Sequence, residues 1–141
     1  MKNILFIAVI IFFGSQKIQS QEKETFNLTI EFIGMKSDKG SLFVALYNED
    51  SKFLKKNHKG EIVEIKNKKA TVTFKDIPKG FYAVSSFHDE NDNKKLDTNF
   101  LGIPKEPTGM SNDAKGFMGP PKYKDAKFIL SENKTIAIKV N

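Results

Sequence analysis

HDENDNKKLD, residues 88 to 97, sets Asp89, Asn91, Asn93 and Asp97 at positions one, three, five and nine of a short polar loop. Oxygen donors on alternate residues suit Ca²⁺, which takes six to eight of them. EF-hand loops offer donors at positions one, three, five, seven (by backbone carbonyl), nine and twelve. Here position seven is Lys95, through its carbonyl, but position twelve is Phe100, so the bidentate Glu is missing. Position six is Lys94, where EF-hands use Gly. Two formal charges, Asp89 and Asp97, would reach the ion, with Glu90 and Asp92 adding field nearby. So low a charge count places a Ca²⁺ site in the weak extracellular range, on the order of 10⁻⁴ to 10⁻³ M. The same residues have a second use, because Asn and Asp side chains bond backbone N–H groups two residues on and tolerate left-handed conformations. Spacing alone leaves both open: a Ca²⁺ loop of Asp89, Asn91, Asn93, Lys95 and Asp97, or an ion-free Asx turn.

Other chemistry finds less support. His88 adjoins Asp89, but one imidazole without a second nearby is a thin basis for a transition-metal site. Asp89 and Asp97 form a carboxylate pair of the kind glycoside hydrolysis uses, yet any acidic loop offers as much. There is no Cys nucleophile and no Gly-x-Ser-x-Gly, and no Ser stands beside a recognisable His–carboxylate pair. A non-enzymatic protein is expected. The alternative is a carbohydrate-active or metal-dependent enzyme using Asp89, Asp97 and His88.

The elements that position this loop read as strands. In TFNLTIEF, Phe26, Leu28, Ile30 and Phe32 share one face and polar residues the other. Ser41–Asn48 is apolar on both faces, as a central covered strand would be. Glu61–Lys66 and Ala70–Lys75 flank Asn67-Lys68, a two-residue hairpin turn. A DIPKG turn then leads into Gly80–Phe87, which runs straight into the polar loop. Tyr123–Leu130 and the alternating Ile136, Ile138 and Val140 close the series. Seven short strands without a helical period predict an all-β, seven-stranded antiparallel β-sandwich with one long ordered loop, about 88–122. That loop is too long to be structureless in a compact domain. Its Phe100, Leu101, Ile103, Met110, Phe117 and Met118 are available to pack it down onto the sandwich, and sequence does not say which of its Phe side chains are exposed.

Composition bounds the setting. Lys2 followed by the apolar run Ile4–Phe13, then a polar segment ending at Ser20, has the layout of a secretory signal peptide. The run is half the roughly 20 apolar residues that a membrane span requires. Residues 1–20 are therefore expected to be cleaved, leaving a single domain over 21–141. Cys is absent, so the fold has no disulfides and the chain no N-terminal lipid-bearing Cys. All 23 basic residues are Lys; without Lys2 and Lys17, 21 bases against 17 acids leave +4. Scattered lysines without Arg do not make a nucleic-acid groove, though they leave weak attraction to an anionic surface or polysaccharide.

Three stretches also carry a resemblance: DIPKGFYAV (76–84), FHDENDNKKLDTNFLGIPKEPTGMSN (87–112) and GPPKYKDAKF (119–128). Together they resemble the DUF2141 family of bacterial exported proteins, over essentially the whole chain after residue 20. One departure is Thr108-Gly109-Met110, where the family pattern has an aromatic before the Gly and a Phe after it. The resemblance implies a transthyretin-like or immunoglobulin-like sandwich and an envelope location, periplasmic or extracellular. It names no reaction. The expected function is a binding or scaffolding module whose partner is an envelope protein, a polysaccharide or a small ligand, with Ca²⁺ as the one candidate cofactor. No nucleic acid and, after cleavage, no membrane span are expected.

Overall fold

Strand β1 (Thr25–Ile33) shows how the chain folds, because its alternation is obeyed residue by residue. Leu28, Ile30 and Phe32 are fully buried while Thr25, Asn27 and Glu31 stay exposed. The structure, a computed structural model, describes residues 23–141. The cleaved segment expected over 1–20 lies outside the described residues. Beyond β1 the strands are β2 (Ser41–Tyr47), β3 (Lys59–Glu64), β4 (Ala70–Pro78), β5 (Gly80–Asp89), β6 (Thr108–Met110), β7 (Phe128–Leu130) and β8 (Lys134–Lys139). A four-residue helix, α1, spans Tyr123–Ala126.

The protein is all-β, built on two sheets. One has the order β4-β1-β8; the other runs β3-β2-β5-β6, with β7 also pairing β5. Their inner faces share one core: Leu28, Ile30 and Phe32 of β1, Val72 and Phe74 of β4 and Ile138 of β8 meet Leu42, Val44 and Leu46 of β2 and Val84 of β5. Burial of these branched and aromatic side chains is the main driving force for the fold, about 1.5–3 kcal/mol for each side chain fully removed from water.

Three expectations are corrected. There are eight strands among the described residues where seven were expected, and one sheet is mixed: β8 runs parallel to β1, from Leu28 opposite Lys134 to Ile33 opposite Lys139. Period-two alternation is the same for either direction, so sequence could not choose. The expected sixth strand, Tyr123–Leu130, divides into α1 and the three-residue β7.

Turn chemistry follows expectation more closely. Asn67 and Lys68 both sit at positive φ (+53° and +59°), which a two-residue primed hairpin turn needs. Lys66 and Lys69 exchange both backbone bonds across it, and Asp38 accepts the N–H groups of Asn67 and Lys68 at 3.0 and 2.6 Å. The DIPKG segment is less of a turn than expected, since β4 continues to Pro78. Asp76 (φ +55°) forms a bulge opposite Asn27, whose Oδ1 accepts its N–H, and pairing with β1 resumes at Ile77.

Candidate functional site

β5 positions the polar loop. Its inner face carries Tyr82, Val84, Ser86 and His88, all buried; its outer face carries Phe81, Ala83, Ser85, Phe87 and Asp89. One edge pairs with β2 along Tyr47–Ser41. The other edge is completed by the long segment itself, with β6 beside Ser85–Phe87 and β7 beside Gly80–Tyr82. The anomalous stretch is thus ordered by filling the edge of the strand it leaves.

Asp89 is fully buried at the end of β5, and its carboxylate holds the loop. Oδ1 accepts the N–H of Asn93 at 3.2 Å and Oδ2 that of Lys94 at 2.7 Å. Asn91 Oδ1 accepts Asn93 N–H at 3.1 Å and Asn93 Oδ1 accepts Lys95 N–H at 2.9 Å, two successive Asx turns. Asp97 closes the loop by accepting the side-chain amides of Asn91 (2.6 Å) and Asn93 (3.0 and 3.1 Å). Asp92 and Lys94 sit at φ +59° and +63°; Asp89 accepts the N–H groups of Asn93 and Lys94, and Asp97 the side-chain amides on either side of Asp92. The expected residues Asp89, Asn91, Asn93 and Asp97 do come together, with Lys95 joined by its N–H. Phe100, at the twelfth position, lies outside this knot at the tip of the next turn. Among the described residues no group of three or more His, Asp or Glu side chains is gathered as a metal-holding set.

His88 is not part of that cluster. Consecutive strand residues face opposite sides, so His88 points into the core side while Asp89 points outward. Its Nε2 donates to the Lys39 carbonyl at 2.6 Å, since a carbonyl only accepts, and Nδ1 lies 3.9 Å from Glu90 Oε1. The Lys39–Gly40 turn packs so closely that a Cβ on Gly40 (φ +70°) would lie 1.8 Å from Asp89 O.

The loop then forms two projecting turns. Residues 97–105 make a small hairpin: Lys105 N–H bonds Asp97 O, Thr98 bridges Pro104, and Asn99 and Ile103 pair. Asn99 Oδ1 also accepts the N–H groups of Leu101 and Ile103, and Gly102 takes φ +77°. Glu106 Oε2 fixes the base by accepting Asp97 N–H at 3.0 Å, while Oε1 is buried without a hydrogen-bond partner. The second turn reverses at Gly116-Phe117-Met118-Gly119, where Gly116 is so close to Gly119 that a Cβ would lie 1.7 Å from its carbonyl oxygen.

These turns display most of the segment's apolar residues instead of packing them down. Phe100 is 95% exposed, Leu101 68%, Ile103 55%, Phe117 91% and Met118 94%. Only Met110 packs, against a second small core of Tyr47, Phe53, Ala83, Tyr123 and Ala126 on the outer face of β5. Sequence reasoning passed over Ser111 and Asn112, which pin that cover in place. Ser111 Oγ accepts Val84 N–H at 2.9 Å and donates to Ala126 O at 2.6 Å; Asn112 Nδ2 donates to Lys127 O at 2.9 Å. Burial raises the pKa of both phenols that flank β5. Tyr82 is raised by desolvation and then by Tyr123; Tyr123 is raised by desolvation and then by Asp50 and Glu49.

A family model described as "Uncharacterized protein conserved in bacteria (DUF2141)" matches residues 30–138. The chain belongs to that family. The matched span holds the whole of β5, the Asp89 knot, both projecting turns and the Ser111–Asn112 pin. Comparison with curated proteins and with solved structures gives no match. No helix among the described residues is long and apolar enough to cross a membrane.

Proposed function

We propose that this DUF2141 chain is an exported, non-enzymatic binding module of the bacterial cell envelope, with the two projecting turns as its contact surface. The observation that carries this reading is the outward display of Phe100, Leu101, Ile103, Phe117 and Met118 on turns held by side-chain hydrogen bonds and glycines. Isolated exposed apolar residues are ordinary, but large ones grouped at the tips of ordered loops mark interaction sites. The two sheets, read as a transthyretin-like or immunoglobulin-like sandwich, serve as the rigid base. Export is read from the apolar run of Ile4–Phe13 and Ser20. The enzyme alternative has weaker support, because His88 faces the core on the side of β5 opposite Asp89.

Ca²⁺ at the loop is the second reading, favoured by the convergence of Asp89, Asn91, Asn93 and Asp97 on one turn, Asp97 accepting the side-chain amides of Asn91 and Asn93 and Asp89 the N–H of Asn93. The hydrogen-bonded knot satisfies the same oxygens from within the chain, and the reading preferred here is that it holds the loop unaided.

The test is capture from solubilised envelope fractions by immobilised residues 21–141, comparing the natural chain with a Phe100→Ser, Phe117→Ser variant. A component retained by the first and lost by the second, at unchanged unfolding temperature, is expected. Equal retention by both would remove the turns as the contact surface.

A further inference from the structure

We infer that the 115–124 turn is an interfacial anchor for an anionic lipid surface; the inference rests on the projecting turns being a contact surface and names what they touch. Phe117 and Met118 occupy the extreme of the turn with almost all of their surface in water. Met118 holds φ +53°, a left-handed conformation that Gly or Asn adopts at less cost. An apolar side chain therefore stands at a strained, exposed position where a polar one would be easier to accommodate.

Behind the tip, Lys115, Lys122 and Lys124 line a hollow of about 200 Å³ together with Phe117, Pro120 and a single acid, Asp125. None of the three lysines is ion-paired among the described residues. An apolar point backed by unpaired ammonium groups complements the surface of a bilayer with anionic headgroups. The side chains enter the acyl boundary and the long lysine stems keep their charges at headgroup level. The shape agrees, because a convex tip needs a matching pocket on a protein partner but none on a lipid surface. Pro120 and Pro121 restrict the returning limb, so little chain freedom is lost on docking.

The experiment is co-sedimentation of residues 21–141, which contain the whole described fold, with vesicles of phosphatidylcholine alone or with 30% phosphatidylglycerol. Binding to the anionic vesicles is expected, weakening with added salt. Each of Lys115→Gln, Lys122→Gln and Lys124→Gln should lower partitioning about fivefold. Phe117→Ser should lower it roughly tenfold or more, and all these side chains are exposed enough for the unfolding temperature to stay put. Binding to neither vesicle, equal binding to both, or undiminished binding of the Phe117→Ser, Met118→Ser variant would each overturn the inference. So would a concentration-dependent dimer that the same variant abolishes, which would assign the tip to a second copy. If vesicles fail while capture of an envelope component still depends on Phe100 and Phe117, the contact surface stands and the lipid assignment alone falls.

Discussion

Asp89 is the one acid that is fully buried among the described residues, and it accepts two backbone N–H bonds rather than pairing with a cation. Removing its carboxylate leaves Lys94 N–H without its acceptor and Asn93 N–H with Asn91 Oδ1 alone, at about 1–3 kcal/mol for a part-buried donor left unpaired. Asp97 accepts only side-chain amides that are themselves exposed, where water replaces what is lost. Asp89→Ala is therefore expected to lower the unfolding temperature by several degrees, at roughly 4 °C per kcal/mol for a domain this size, and Asp97→Ala by about a degree or two. Millimolar Ca²⁺ should shift neither these nor the natural chain. A Ca²⁺-dependent rise in the natural chain that both variants lose would instead make Asp89 and Asp97 ligands, since an ion bound only to the native state stabilises it by mass action. The loop's residues were legible in the sequence because alternation of Asx types is needed for either use. What they bond to was not, because Lys94 N–H and Asn93 N–H carry no sequence signature.

At the scale of elements, β5 is flanked by two phenols that titrate against the fold. Tyr82 on its inner face donates to Pro78 O at 2.8 Å, and Tyr123 of α1, over its outer face, donates to Phe81 O at 3.2 Å. Both pKa values are raised in the folded chain, chiefly by burial. A raised folded pKa means that the native state keeps a proton the unfolded state releases. The stability this contributes is whole below about pH 10, where a free phenol ionises, and is lost as pH rises through the folded value. Urea midpoints measured upward from neutral pH should hold nearly level and then fall above that point. In a Tyr82→Phe, Tyr123→Phe variant the alkaline fall should be shallower, whatever the starting stability; an identical slope would mean that other groups drive it. The strands around these phenols were mostly readable, since β1, β2, β4 and β5 declare themselves by alternation or by sustained apolar character. β6 was not, because Thr-Gly-Met has no pattern of its own and is a strand only where Ser85–Phe87 offer a free edge. α1 hid inside the expected strand Tyr123–Leu130 because a single helical turn buries Tyr123 and Ala126 at a spacing too short to establish a period.

The whole molecule is closed by a contact between its two sheets that no local pattern announces. Thr108 of β6 and Asn141 exchange backbone bonds at 3.0 Å, and Val140 N–H bonds Ile33 O, so the end of the chain is held between β1 and β6. At this junction Gly109 lies against β8, where a Cβ would stand 2.8 Å from Ile138 Cγ2, 2.8 Å from Ser86 Oγ and 3.1 Å from Lys139 O. The missing side chain is what lets the sheets approach. Gly109→Ala should overpack the junction and cost about 1–3 kcal/mol. Ile138→Ala should cost about 2–5 kcal/mol as a cavity in the shared core. The two losses should not add: truncating Ile138 removes the methyl that the new Cβ meets, so the double variant should be more stable than the sum of the single costs implies. Urea denaturation of the four chains measures the difference, and residues in contact give coupling of about 0.5–3 kcal/mol. Strict additivity would show that β6 and β8 do not bear on each other through Gly109.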